Sequence, residues 1–184
     1  TIAGLGRQAS FQESFPGVTA TKQTGPWFGN PQKTPINSPW ALWVHEDNLY
    51  IAMAGPHQIW IMPLDESRIG PYAGNAREDI VDGPLLPNQP LGMGASSFAQ
   101  PSGLTSDGQY IYVADSEGSS IRGVPFDKTK SVFTVVGTND LPRGRLFTFG
   151  DVDGKKDDVL LQHVLGVHYD AGKIYITDTY NNKV

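Results

Sequence analysis

Residues 101–121 read PSGLTSDGQYIYVADSEGSSI, and the same pattern occurs twice more in the chain. PWALWVHEDNLYIAMAGPHQI at 39–59 and VLGVHYDAGKIYITDTYNNKV at 164–184 align with it without gaps, so the unit recurs after 62 and then 63 residues. A tyrosine stands eleven positions after the start of each segment, at Tyr50, Tyr112 and Tyr175. Such a repeat indicates one supersecondary unit used several times.

Each repeat divides into short strands and turns. In the second repeat, period-2 alternation predicts strands at 102–106, 110–115 and 121–125, and SVFTVV at 131–136 supplies a fourth strand. Asp107-Gly108 and the serine-rich residues 116–119 are the predicted turns. Four antiparallel strands of this kind form one blade of a β-propeller. The sequence therefore predicts an all-β fold.

The repeats and the stretches between them define the domain organisation. TIAG at 1–4 ends in the same way as the predicted fourth strands, so it is interpreted as the last strand of an earlier blade. The predicted segments are 1–38 (that strand plus an insertion), 39–74 (a blade), 75–100 (an insertion), 101–137 (a blade), 138–163 (an insertion) and 164–184 (the start of the next blade). The chain thus represents about three blades, which is only part of a closed propeller.

The run YITDTYNNKV at 175–184 resembles the signature of the NHL repeat. The segments INSPW, YIAMAGPHQIW, SFAQPSGL, VADSEGSSIR, LFTFGDVDG and LLQHVLGV resemble the thioredoxin-linked members of the NHL-repeat family, in the same order. The resemblance implies a six-bladed NHL β-propeller, with four antiparallel strands per blade, that follows a thioredoxin-like domain. It also implies that the remaining blades come from the same or a second chain, and that the propeller is a scaffold or binding module.

Composition excludes several classes of function. The chain has 14 Lys and Arg residues against 19 Asp and Glu residues, a net charge of -5, which disfavours nucleic acid as a partner. It contains no cysteine, so disulfides, thiolate metal sites and thiol catalysis are excluded. No apolar run approaches the length that a membrane span needs. A soluble segment is expected, and neither its compartment nor a targeting segment can be read from these residues.

Strand direction predicts where a partner would bind. The turns between second and third strands, and the insertions between blades, are expected at one end of the sheets because neighbouring strands alternate in direction. The predicted rim residues from three successive turns are His57, Glu117 and Tyr180. The insertions also carry Trp27, Phe28, Leu85, Leu86, Arg143, Arg145 and Phe147. The aromatic and arginine side chains among them are predicted anchors because such side chains on ordered loops are typical of interfaces, although Phe147 and Phe149 are expected to cap blade edges. The predicted occupant of this insertion-bearing face is a protein or a small ligand.

Acidic residues raise the question of a metal. Asp151, Asp153 and Asp157 lie close to Gly154 and resemble a fragment of a calcium loop, although Asp-Gly is more often simply a turn. Calcium is the only cofactor considered. Asp115 and Asp178 each end a second strand and are expected to accept hydrogen bonds from turn N–H groups.

Enzymatic chemistry has little support in the sequence. The four histidines are scattered, and the first strands of the repeats carry no carboxylate to present to a central channel. A metal-dependent lactonase- or lyase-type propeller is therefore the alternative interpretation, and a binding module without catalytic residues is the favoured one.

Overall fold

The computed structural model describes residues 1–10, 13, 28–88, 94–138, 146, 148–156 and 158–184. In this part of the chain the helical elements are two three-residue 3-10 turns, Pro31–Lys33 and Thr179–Asn181. The other regular elements are strands in three antiparallel sheets, so the all-β prediction is confirmed. The described residues contain no helix with the length and apolar character of a membrane span.

The sheets follow the predicted blades. The first blade consists of β1 (Pro39–His45), β2 (Asn48–Met53), β3 (Gln58–Pro63) and β4 (Gly70–Ala73), paired in that order. A short strand, β5 (Gly83–Pro84), then precedes the second blade, which consists of β6 (Pro101–Ser106), β7 (Tyr110–Asp115), β8 (Ser120–Pro125) and β9 (Ser131–Gly137). The third blade is represented by its first two strands, β10 (Val164–Asp170) and β11 (Lys173–Asp178).

Strand register confirms the repeat alignment. Tyr50, Tyr112 and Tyr175 each pair with the fifth residue of the first strand of their blade, which is Trp43, Thr105 and His168 respectively. Each first strand also has a register shift at its second residue. The three tyrosines therefore occupy equivalent positions on the same face of their sheets, because a shift of one residue would reverse the face.

Backbone conformation repeats as well. Residues with a positive φ recur immediately before each first strand, at Ser38, Gln100 and His163. They recur again immediately before the position of the third strand, at His57, Ser119 and Asn182. None of these six residues is glycine, although side chains normally disfavour the left-handed region. Its recurrence at equivalent positions is therefore a property of the repeat.

Apolar packing joins the blades. One buried cluster lies between the first and second blades and includes Tyr50, Ile59, Ile111 and Val113. The three sheets form part of a propeller and do not close. Exposed apolar side chains consequently remain on the face of the first blade that points away from the second, where Leu42 of β1 is 61% exposed.

The insertions follow a different course from the predicted one. We expected all of them at one end of the sheets, but Gly29 pairs with Ile69 beside β4, and β5 pairs with β9. Each of these insertions therefore runs along the outer edge of the blade that follows it. An outer strand presents unpaired backbone N–H and C=O groups, and the insertion supplies hydrogen-bond partners for some of them.

The predicted strand at 1–4 is not formed in the structure. A fourth strand pairs with the third strand of its own blade, and the described residues include no third strand beside 1–4. Gly4 nevertheless has a φ of 90°, close to the values of 102° and 93° at Gly74 and Gly137, which end the fourth strands of the two blades. The interpretation of 1–4 as a blade end stays a prediction.

Candidate functional site

The upper end of the sheets is the end that carries the turns between second and third strands, at 54–57, 116–119 and Thr179–Asn181. Two buried carboxylates organise it. Asp115 accepts a hydrogen bond from the N–H of Ala99 at 2.7 Å, and Asp178 accepts one from the N–H of Gln162, also at 2.7 Å. We predicted donors in the turns. The backbone donors instead lie sixteen positions earlier, on the segment that leads into the first strand, and the turn supplies one side-chain donor, the amide of Asn181, to Asp178 at 2.7 Å.

Backbone hydrogen bonds tie the same turns to the same segments. Glu117 N–H donates to the carbonyl of Ala99 at 2.9 Å, and Tyr180 N–H donates to the carbonyl of Gln162 at 3.1 Å. Ser116 adds a hydroxyl donor to the carbonyl of Gln100 at 2.8 Å. Glu117 and Tyr180 therefore project from equivalent turns whose backbone is fixed from both sides.

A cluster of polar and aromatic side chains lies between these two turns. His163 Nε2 is 3.2 Å from Glu117 Oε2, and the imidazole stacks on the ring of Tyr180 with centroids 4.2 Å apart and an interplanar angle of 14°. Phe149 approaches the other side of the imidazole, with ring centroids 6.1 Å apart. We call Glu117, His163, Tyr180 and Phe149 the rim cluster.

His163 is the residue that the sequence analysis missed. It has a φ of 49°, and its N–H donates to Ser119 Oγ at 3.2 Å, so its position depends on the neighbouring blade. Its place immediately before a first strand, shared with Ser38 and Gln100, is a signal that the repeat alignment contained. The alignment does not show that the imidazole contacts both Glu117 and Tyr180.

His57 lies at the same end but outside the rim cluster. Its Nδ1 accepts a hydrogen bond from the N–H of Gln100 at 3.2 Å. Burial lowers the pKa of His57, and the charges of Glu78 and Glu117 act in the opposite direction. The structure therefore brings Glu117 and Tyr180 together through His163. His57 instead accepts a hydrogen bond from the segment that leads into β6.

The described calcium candidates, Asp151 and Asp153, lie in a small hairpin. Val152 and Leu160 form an isolated bridge, so Asp153 and Gly154 lie in the turn of a small hairpin. Asp151 forms an ion pair with Lys183 Nζ. Asp157 lies outside the described residues, and among those that are described no three His, Asp or Glu side chains are placed to hold a metal ion. The calcium loop stays a prediction.

Four of these residues, Trp27, Arg143, Arg145 and Phe147, also lie outside the described residues and stay predictions. Phe28, Leu85 and Leu86 are described, and they are not at the upper end. Phe28 lies beside Arg68, which precedes β4. Leu85 is 8% exposed in the cluster between the first two blades. Leu86 lines a groove at the opposite end of the sheets, together with Glu46 and Gly108 from the turns between first and second strands. Their assignment to the insertion-bearing face was wrong.

Comparison with known sequences finds relatives along the whole chain. It is 37% identical over 189 residues to "Protein SUPPRESSOR OF QUENCHING 1, chloroplastic" of Arabidopsis thaliana. It is 37% and 35% identical over 209 residues to "NHL repeat-containing protein 2" of Bos taurus and Homo sapiens. The chain spans 16% of the plant protein and 26% of each of the animal proteins. No family model matches the chain.

Solved structures support the architecture. A protein of unknown function from Bacteroides thetaiotaomicron superposes with a TM-score of 0.58 at 19% identity, over 73% of this chain and 30% of that one. An auxiliary nutrient binding protein from the same organism gives a TM-score of 0.54 at 21% identity, over 73% of this chain and 33% of that one. At these identities the similarity establishes the fold alone.

Proposed function

Because the chain is an NHL-repeat homologue with the fold of a partial β-propeller, we propose that it is a scaffold whose rim cluster binds a basic side chain of a protein partner. The coarser role of scaffold or binding module follows from the homologues. The finer role rests on one observation, which is that Glu117 and Tyr180 flank His163 on two successive turns.

The chemistry of the rim cluster suits a cation. The side chain of Glu117 is 26% exposed, so its carboxylate is accessible while remaining partly shielded from water. Tyr180 is 59% exposed and offers a ring face nearby. A lysine or arginine of a partner would pair with the carboxylate and lie over the ring, a combination of ion pair and cation–π contact.

The cluster is also organised before a partner arrives. The turn hydrogen bonds fix the backbone of Glu117 and Tyr180, and His163 fixes the side chains of both. Binding therefore orders few additional rotamers, which favours affinity for a given contact area.

The alternative of a metal-dependent lactonase- or lyase-type propeller needs several convergent ligands. Within the described ranges, no three His, Asp or Glu side chains are arranged to hold a metal ion. The histidine with the closest acidic neighbour, His163, stacks on Tyr180 and meets Phe149 edge to face, which fits a positioning role. We therefore favour binding over catalysis.

The wider protein is part of the same proposal. The chain covers a minor share of its relatives, so a six-bladed ring, a link to a thioredoxin-like domain and the identity of the partner are all proposed from resemblance. In this arrangement the propeller would hold a partner near the redox domain, on the end that carries Glu117.

Selection of a phage-displayed library of 12-residue peptides on the full chain tests the rim cluster. We expect enriched peptides with Arg or Lys, and at least about tenfold weaker binding of these peptides to Glu117→Gln/Tyr180→Ala, since an ion pair and a ring contact are both removed. Glu66→Gln is the control, because it removes the same charge from an exposed turn of the opposite end. Equal binding of the basic peptides to all three proteins would overturn the proposal.

A further inference from the structure

The lower end of the sheets carries the turns between first and second strands and between third and fourth strands, including 46–47, 107–109 and 126–130. A groove of about 840 Å³ opens there between the first and second blades. We propose that this interblade groove is a second binding site, and that it takes an extended peptide segment in which acidic residues flank an apolar or aromatic side chain. The proposal is independent of the rim cluster, which lies at the other end.

The floor of the interblade groove is apolar and fixed. Tyr50 meets Tyr72 edge to face at 5.1 Å and Phe126 at 5.4 Å between centroids, and Phe126 stacks on His45 at 3.7 Å. The hydroxyl of Tyr72 donates to the carbonyl of Pro125 at 2.8 Å, which ties the first blade to the second. A preformed floor of rings with few polar groups is the usual character of a ligand site.

The edges of the groove are positively charged. Arg68 lies on the first blade with its guanidinium 4.7 Å from the ring of Phe28, and Lys130 lies on the second blade with its Nζ 5.6 Å from the ring of Tyr110. Lys128 is a third basic lining residue. Three basic residues on one groove stand out in a chain whose net charge is -5.

The acidic lining residues offset part of this charge and leave three basic against two acidic side chains. They are Glu46 and Asp127. The carboxylate of Asp127 accepts hydrogen bonds from Thr129 N–H at 2.9 Å and Thr129 Oγ1 at 2.7 Å, and these bonds lower its pKa. The carboxylate of Asp127 therefore stays ionised and also attracts Lys130. The groove keeps a small excess of positive charge, which favours an external anion.

The distribution of charge favours a peptide as the occupant. Arg68 stands on one blade and Lys128 and Lys130 stand on the other, so an occupant that reaches both edges must cross the apolar floor. An extended chain with acidic residues on either side of an apolar side chain satisfies all of these contacts at once. Complementary charges would also accelerate association and set the direction of binding.

The same phage-displayed library of 12-residue peptides provides the test. We expect a second class of enriched peptides that carry Asp or Glu on both sides of an aromatic or aliphatic residue. Synthetic copies should bind Lys128→Glu/Lys130→Glu at least about tenfold more weakly in fluorescence anisotropy, because two favourable charge contacts become repulsive. Raising the ionic strength should weaken binding to the parent chain.

Two control proteins make the outcome specific. Lys155→Glu/Lys156→Glu changes the charge equally at two exposed residues of the 152–160 hairpin and should bind the acidic peptides as the parent does. Glu117→Gln/Tyr180→Ala should also retain them, which separates this result from the rim-cluster result. The proposal is overturned if no acidic class is enriched, or if its affinity is unchanged in Lys128→Glu/Lys130→Glu.

Discussion

The first and second blades use opposite chemistry at the same two positions. In the second blade, the last residue of β7 is Asp115 and the third residue of β8 is Arg122, and the side chains of both are fully buried. The equivalent residues of the first blade are Met53 and Trp60, which are also fully buried. The strands pair in the same register around both pairs, so the blade does not depend on which pair it contains.

The difference lies in what each pair holds. Arg122 donates to the carbonyls of Ser97 and Val81, both at 2.9 Å, and to the carboxylate of Asp82 at 2.8 Å. Asp82 in turn accepts from Thr134 N–H on β9 at 2.9 Å. Arg122 thereby fixes two separate parts of the insertion that precedes its blade.

The first blade fixes its surroundings by packing. Trp60 and Met53 belong to an apolar cluster with Ile69, and Ala3 and Ile36 of the N-terminal segment pack against it. The indole N–H of Trp60 donates to Gln58 Oε1 at 2.9 Å, so its polar atom is satisfied. The comparison teaches that the repeat specifies the strands, and that individual pairs of side chains specify how each insertion is attached.

The largest expected effect is that of removing the buried guanidinium of Arg122 from the second blade. Arg122→Met should lower the free energy of unfolding by about 3–5 kcal/mol, because it leaves Asp115 and Asp82 without their buried cationic partner. Urea denaturation followed by tryptophan fluorescence measures this change.

The double variant Asp115→Met/Arg122→Met sharpens the comparison. It removes both buried charges and moves the second blade toward the apolar chemistry of Met53 and Trp60, so it should be less destabilised than Arg122→Met alone. If the double variant instead loses the full sum of the unfolding free energies that Asp115→Met and Arg122→Met lose separately, the two residues are not coupled and the comparison fails.

A smaller effect is expected from crowding near the first strands. A Cβ at Gly103 would lie 2.8 Å from the carbonyl oxygen of Leu165 on the third blade, whereas Ala41 carries a Cβ at the same position of the first blade. Gly103→Val should therefore lower the free energy of unfolding by about 1–3 kcal/mol, the usual cost of overpacking.

Gly166 provides the matched control for Gly103. A Cβ there would lie 2.8 Å from Thr177 Oγ1, a side-chain atom that a change of χ1 can move, whereas the carbonyl of Leu165 is fixed in the backbone, so Gly166→Val should cost less than Gly103→Val. The same denaturation curves decide the order. A cost for Gly103→Val within about 0.5 kcal/mol of zero would show that the first strands are not crowded at this point.

The smallest effect, counted per pH unit, is the contribution of Asp115 to the dependence of stability on pH. Burial raises the pKa of Asp115 to about 7, although Arg122 and the N–H of Ala99 oppose this shift. An aspartate of the unfolded chain titrates near about 4. Between these values the folded chain binds more protons than the unfolded chain, so this group makes the fold more stable as the pH falls from about 7 toward about 4.

Asp115→Asn should remove that contribution, which amounts to at most about 1.4 kcal/mol per pH unit. The measurement is the free energy of unfolding of both proteins at several pH values across this window. Parallel pH profiles for the parent and Asp115→Asn would contradict the assignment of the titration to this carboxyl group.

Much of the fold could be predicted because its signals are local. The predicted strands of the second blade agree with β6 to β9 to within one residue at each end, since period-2 alternation and the Asp107-Gly108 turn mark them directly. Glu117 and Tyr180 were placed at one end for the same reason. The course of the insertions was predicted wrongly, because an insertion with no periodicity of its own takes its path from the blade edge that it covers.

The sequence by itself determined the repeat, the strands, the register of each blade and the direction in which the turns point, because alternation and turn chemistry act over a few residues. Only the tertiary structure decided which side chains meet. His163 and Glu117 are 46 residues apart, and Arg122 and Asp82 are 40 residues apart. These contacts depend on how neighbouring blades and insertions pack against one another. The physical reason is that a buried polar group must pair with a group that lies beside it in space, and a local sequence pattern does not encode that proximity.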